Sequence, residues 1–322
     1  MANLMTMTEP VSAAGGPARA GTQALGRFWR AIRSNRKAAA GSILLAIFTL
    51  MAIWPSLIAK DPPQADIYKS ALGPSTAHLF GTTQYGQDLF SQFVNGTRET
   101  LIIAVVSGAL STFLSVFMGL AAGYLGGLPD LVLNYITDVL LVIPTLPLLI
   151  IIVAFLPGAG VPVLIVVLTV TGYSYGARQL RAQTLTLRNR DFLEAARVRG
   201  ERALYIVFVE LIPTMTSLIV ATFLGTAVYN VIAAAGLQFL GIGNPDSLSW
   251  GTMLYWAQNN EALQTDQYMW AIVPGVGIAL LGAAFALLNY AFDEIGNPAL
   301  RPVRRPKKSV FKTRRLRVER AS

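Results

Sequence analysis

Apolar residues in this chain gather into long runs. Spanning a bilayer as a helix takes roughly 20 mostly apolar residues, and six windows meet that standard: 38–59, 101–124, 131–156, 161–182, 215–243 and 270–292. The stretches between them are too polar to sit in hydrocarbon, where each unpaired backbone group costs several kcal/mol. The pattern predicts an all-α membrane protein with six transmembrane helices in one domain over 38–300. A polar loop over 183–213 separates the fourth span from the fifth.

Charge orients the spans. Six basic residues precede the first, seven lie between Arg178 and Arg202, and ten follow the last between Arg301 and Arg320; only Lys60, Lys69 and Arg98 fall elsewhere. Because lysine and arginine collect on the cytoplasmic side, both termini and the 183–213 loop are expected there. The net charge of +9 then reflects topology and contact with anionic lipid, with no nucleic-acid partner implied. At 53% hydrophobic and 13% charged, the composition agrees with a membrane protein.

Residues 1–26 lack the apolar core of a cleavable signal and read as a disordered cytoplasmic tail. The basic segment 27–37 suits either a short helix on the headgroups or a juxtamembrane stop, and 301–322 reads as a basic cytoplasmic tail. The chain has no cysteine, which excludes disulfides and thiol chemistry. His78, the single histidine, falls in an external loop and is expected at the surface. No lysine follows a glycine, so the phosphate-cradling G-x-x-x-x-G-K-[ST] loop is missing. Without that loop, paired histidines or a nucleophile elbow, an enzyme reading has no support. The chain is expected to be non-catalytic, with no cofactor of its own.

The loop carries the most pointed local pattern, DFLEAARVRGERALYIVFVELIP over 191–213. Asp191 followed three residues later by Glu194 has the form of a capping box, with both carboxylates at the positive end of the helix dipole. Gly200 can take the left-handed conformation that stops a helix. A two-turn helix with defined ends is predicted, where small Ala195 and Ala196 allow close approach and Arg197 adds charge. Pro213 marks re-entry into the membrane. Glu194 serves either to cap its own helix or to meet a partner.

EAARVRG, then nine residues, then ELIP resembles the EAA loop of the membrane subunits of bacterial ATP-binding-cassette importers. Glu194, Ala195, Ala196, Gly200 and Pro213 fall in place; Glu210 and Ile212 depart from the usual isoleucine and leucine. FGTTQYGQDLFSQFVNGTRETL (80–101), GLAAGYLGG (119–127), DVLLVIP (138–144), FLGIG (239–243), SWGTML (249–254) and NPALR (297–301) are similar to the dipeptide and oligopeptide branch, in its order. The resemblance implies a type I importer permease. Its implied partners are a second, homologous permease, two cytoplasmic ATPase subunits that bind ATP and Mg, and an extracytoplasmic solute-binding protein, all at the bacterial inner membrane. It also implies a coupling role for the helix at 191–200. The branch moves peptides, and some members move oligosaccharides or nickel complexes; LYWAQNNEAL and DEIGNPALR look closer to the oligosaccharide-associated members.

For the pathway, Asp138, Pro144 and Tyr173 are candidates. An intramembrane carboxylate faces protein or water, so Asp138 either bonds a neighbouring helix or meets solute. Pro144 with Pro147 is expected to kink its helix, as a gate hinge or as packing. The glycine-rich runs pack either inside the subunit or against a sister permease. Trp250, Tyr255 and Trp256, in the second external loop, are either membrane-belt anchors or docking residues for the binding protein. The competing reading, a self-sufficient secondary transporter or channel, rests on Asp138 and the broken helices.

Overall fold

A computed structural model describes residues 35–156 and 160–296. The expected tails at 1–26 and 301–322, most of the basic segment 27–37, and the NPALR stretch lie outside the described residues. Five helices are long and apolar enough to cross a membrane: α1 (Arg36–Ile53), α3 (Leu89–Leu125), α6 (Val161–Leu187), α9 (Thr216–Phe239) and α11 (Tyr268–Gly296). A sixth crossing is made if α4 (Gly127–Val142) and α5 (Thr145–Ala154), bent by 90° at Ile143–Pro144, are taken as one broken span. Shorter helices are α2 (Pro55–Ile58), α7 (Asp191–Val198), α8 (Ala203–Thr214) and α10 (Trp250–Asn259).

Several boundaries differ from those read in the hydropathy. The first span stops at Ile53, because Pro55 opens a separate short turn after Trp54. The second begins at Leu89, twelve residues early, inside the stretch assigned to an external loop. Asp88 caps it by accepting the Ser91 amide at 2.8 Å. Thr97 and Thr100, which lower the hydropathy of that stretch, return their hydroxyls to the carbonyls of Phe93 and Gly96 at 2.9 and 3.0 Å. A threonine bonded to its i−4 carbonyl buries no free polar group.

The spine of the molecule is the α3–α6 pair, and small residues make it possible. A Cβ at Gly119 would lie 2.6 Å from the Ala177 carbonyl oxygen, so only glycine permits this approach. Ser115 Oγ donates to Tyr173 O at 2.7 Å, and Ser111 Oγ to Thr169 O at 3.3 Å, joining the two backbones directly. Within GLAAGYLGG, Gly119 and Gly123 are taken up by packing against α6 in the same subunit. At the far end of the bundle from α7, an aromatic core binds α1, α3, α10 and α11 together. Trp250 stacks on Phe93 at 5.1 Å and meets Phe48 edge-on at 5.3 Å.

Candidate functional site: the Asp191–Val198 helix and the cavity beside Pro144

α7 stands at the end of the bundle where α3 and α6 finish. Its inward residues, Leu193 and Ala196, are 0% exposed and pack on Ile206 and Leu211 of α8, with Tyr124 of α3 and Leu187 of α6 at the edges. The residues turned outward are Asp191, Phe192, Glu194, Ala195 and Val198, the last 88% exposed. The predicted two-turn helix is present, but two details are corrected. Arg190 is the capping residue and no side chain caps the helix, so the Asp191–Glu194 capping box does not form. Asp191 is the first helical residue and stands inside the first turn, while Leu193 and Ala196 face α8. Its carboxylate still lies at the positive end of the dipole. Ala196 is covered from within, leaving only Ala195 of the pair for close approach from outside.

Gly200 ends the helix as expected, at φ +79, with its amide on Arg197 O at 2.9 Å and the Glu201 amide on Ala196 O at 3.2 Å. Arg197 turns back over the Tyr124 ring, 5.7 Å from its centre. Arg199 reaches Glu210 on α8 at 3.7 Å. Pro213 follows a stretch of wide helix over Ile206–Leu211, in which Ile212 N–H reaches Val207 O. Pro213 has no amide to give, and its ring crowds the carbonyl four residues back. An extra residue in the turn accommodates both.

Two ion pairs join α4 to α6. Arg181 holds Asp130 by Nε–Oδ1 at 2.6 Å and Nη2–Oδ2 at 2.8 Å. Asp138 pairs with Arg178 and accepts from Asn134 at 2.8 Å, so it meets both a neighbouring helix and its own. The sequence held a signal for this pairing. Asp130, Asn134 and Asp138 recur every fourth residue on one face of α4, and Arg178 and Arg181 share a face of α6.

Beside the 90° bend, a cavity of about 450 Å³ opens between α4, α5, α6 and α9. Its polar groups come from Thr145, Thr171, Ser174, Tyr175, Gln179, Thr222, Thr226, Tyr229 and Asn289, and no lining residue carries a charge. Pro144 sits at the bend. Tyr173 does not line the cavity: it is buried, with its carbonyl accepting from Ser115 in the α3–α6 seam, and its neighbours Ser174 and Tyr175 take the place expected of it.

At the opposite end the aromatic candidates divide. Trp250 is 0% exposed and donates its indole N–H to Phe93 O at 3.0 Å, so it is core and offers no docking surface. Tyr255 is half-buried, and Trp256, 36% exposed, donates to Pro245 O at 3.0 Å. His78, expected at the surface, is buried with Nδ1 3.0 Å from Asp88 Oδ1 and its ring against Tyr68. Asp61 beside the Tyr68 phenol holds its titration above the usual tyrosine value.

Residues 115–301 match the family described as the binding-protein-dependent transport system inner membrane component, and residues 24–74 match the N-terminal TM domain of oligopeptide transport permease C. The chain belongs to this family of transport permeases. The permease is 32% identical over 278 residues to the dipeptide transport system permease protein DppC of Bacillus subtilis, covering 85% of each chain. To the oligopeptide transport system permease protein OppC of the same organism it is 30% identical, covering 77% of this chain and 83% of that one. To the glutathione transport system permease protein GsiD of Pectobacterium atrosepticum it is 31% identical, covering 85% and 91%. Within the permease, the residues that sequence reasoning missed are Tyr124, Asp130 and Arg181. Each contributes one half of a contact whose other half lies far away along the chain.

Proposed function

We propose that this chain forms half of the membrane pathway of an ATP-driven importer for short peptides, and that α7 is the element a cytoplasmic ATPase moves. The observation that carries the reading is the two-sidedness of α7. Leu193 and Ala196 are fully enclosed, while Val198 is 88% exposed and shares the outer face with exposed Ala195, one turn away. Arg188, Arg190, Arg197, Arg199 and Arg202 surround the helix, which keeps it out of hydrocarbon. An apolar patch on a helix facing water fits a protein partner. Burial of the inner face makes α7 a rigid body seated on α8, so a push at its outer face travels into the bundle. Both termini and α7 lie on the cytoplasmic side in this reading.

The family supports a second permease copy or homologue, two ATPases holding ATP and Mg, a solute-binding protein, and residence in a bacterial inner membrane. Peptides are favoured over oligosaccharides because the relatives named above are dipeptide, oligopeptide and glutathione permeases. The hydroxyl- and amide-lined cavity offers donors and acceptors to the amide groups of a peptide.

The test is uptake by the assembled complex in proteoliposomes, with a labelled dipeptide and a labelled disaccharide as probes. Glu194→Lys and Gly200→Pro are expected to abolish peptide uptake while the protein still inserts. Normal uptake by both variants rejects the coupling role, and transport by this chain alone, driven by an ion gradient, favours a secondary transporter. Disaccharide uptake without peptide uptake reassigns the solute. Single cysteines placed at Val198 and Trp256 in this cysteine-free chain should label from opposite faces of the membrane.

A further inference from the structure

We infer that Tyr124, held by Arg197, is a positioning residue that delivers the displacement of α7 to the joint between α3 and α4. The inference rests on the coupling role proposed for α7. Among the ring and ion contacts described for α7, Arg197 over Tyr124 is the one that reaches α3; Arg199 leads to α8 instead. Tyr124 is the last residue but one of α3, and its ring also borders the Leu193–Ala196 cluster. It therefore meets α7 through both an apolar edge and a cation-facing π surface.

Tyr124 stands at the foot of a pivot. Gly126 and Gly127 follow at φ +67 and +59, and Gly126 has ψ −168, a combination that glycine alone adopts without strain. Nothing lies within 4 Å of where a Gly127 side chain would begin, so the turn is not braced on that side. Beyond it, α4 is fastened to α6 by Asp130–Arg181 and runs to the Pro144 bend. Leu140 and Leu141, at its far end, line the cavity with Thr145. α4 is thus a lever with Tyr124 at its base and the cavity wall at its tip. The rest of α7 bears on α8, which continues into α9, and on Leu187 of α6; those contacts reach α4 only through other helices.

The experiment measures solute moved per ATP hydrolysed by the full complex in proteoliposomes, with a labelled dipeptide as probe. Tyr124→Leu fills the apolar space but removes the ring, and Arg197→Gln removes the cation from an exposed position with little risk to folding. Each is expected to lower dipeptide per ATP by about fivefold or more, the low end of typical coupling between sites. Tyr124→Phe keeps the ring and should retain the native ratio. Because both changes break one contact, the double variant should lose about as much as either single variant. An unchanged ratio in Arg197→Gln, or in Tyr124→Leu where it assembles, overturns the inference, as does loss of the ratio in Tyr124→Phe.

Cross-linking from a cysteine at Val198 to the ATPase separates this outcome from failure of the parent reading. If the link forms and the ratio holds in the variants, only the role of Tyr124 falls. If the link is absent in the native complex, the coupling role of α7 falls with it.

Discussion

Arg181 grips Asp130 through two parallel hydrogen bonds, 2.6 and 2.8 Å long, with both side chains mostly shielded from solvent. Fork-to-carboxylate geometry of this kind is among the stronger polar contacts a protein makes. It pins the start of α4 to α6 just after the glycine turn. The neighbouring Arg178–Asp138 pair is more open, with side chains 55% and 40% exposed.

Arg181→Ala should therefore cost about 1.5–3 kcal/mol, the range for hydrogen bonds to charged groups. Arg178→Ala should cost about 0–1 kcal/mol, as exposed pairs do. Thermal melting of the purified permease in detergent compares the two, and equal losses would remove the distinction drawn between them. Exchanging the partners, Asp130→Arg with Arg181→Asp, should recover part of the first loss.

Gly119→Val should drive α3 and α6 apart, since even a Cβ there sits 2.6 Å from the Ala177 carbonyl oxygen. Overpacking of this kind costs about 1–3 kcal/mol. Gly236, within α9, has nothing within 4 Å of its missing Cβ. Gly236→Ala should be neutral, or stabilising by about 0.5–1 kcal/mol through helix propensity. The folded yield of the two variants after detergent extraction is the readout.

Trp250→Ala should cost about 3–5 kcal/mol, as loss of a buried indole does, because the ring is enclosed between Phe93 and Phe48. Trp256→Ala gives up one hydrogen bond to Pro245 and should cost about 1 kcal/mol. If Trp256 meets a binding protein, its loss should weaken docking while lowering the melting temperature far less than loss of Trp250 does; surface plasmon resonance against the binding protein decides this.

Asp88 performs two tasks, accepting the Ser91 amide with one oxygen and facing His78 with the other. Asp88→Ala removes both and should destabilise by about 0.5–2 kcal/mol from the cap alone. Asp88→Asn keeps an oxygen for the cap and should lose less. Hydrogen exchange over residues 60–95 should accelerate in the alanine variant, since the segment before α3 is tied to this cap.

α6 and α9 were legible from hydropathy because each carries a stretch of mostly apolar residues long enough to span a bilayer. The start of α3 was not: Ser91, Gln92, Thr97 and Thr100 look like loop residues until each is seen to be buried with a nearby acceptor. The two-turn helix and its glycine stop could be read at 191–200, yet its phase could not. Asp191–Glu194 matched a capping pattern, whereas the observed helix begins one residue earlier, with Arg190 at the cap and Asp191 in the first turn. Of three aromatic residues given the same pair of readings, belt anchor or docking residue, Trp250 went to the core and Trp256 stayed outside, although six residues apart they look alike in sequence.

The sequence by itself determined that the chain carries apolar runs long enough to span a membrane, that a two-turn helix stopped by a glycine interrupts them, and which family's motifs the chain carries. Those are properties of single residues or of neighbours within a turn or two. Tertiary structure alone decided that Arg181 finds Asp130, that Arg197 covers Tyr124, that His78 is buried on Asp88, and that Tyr173 yields the cavity to Tyr175. A side chain's partner depends on which helix faces meet and in what rotation. Packing of distant segments sets that rotation, and hydropathy measured along the chain carries no record of it.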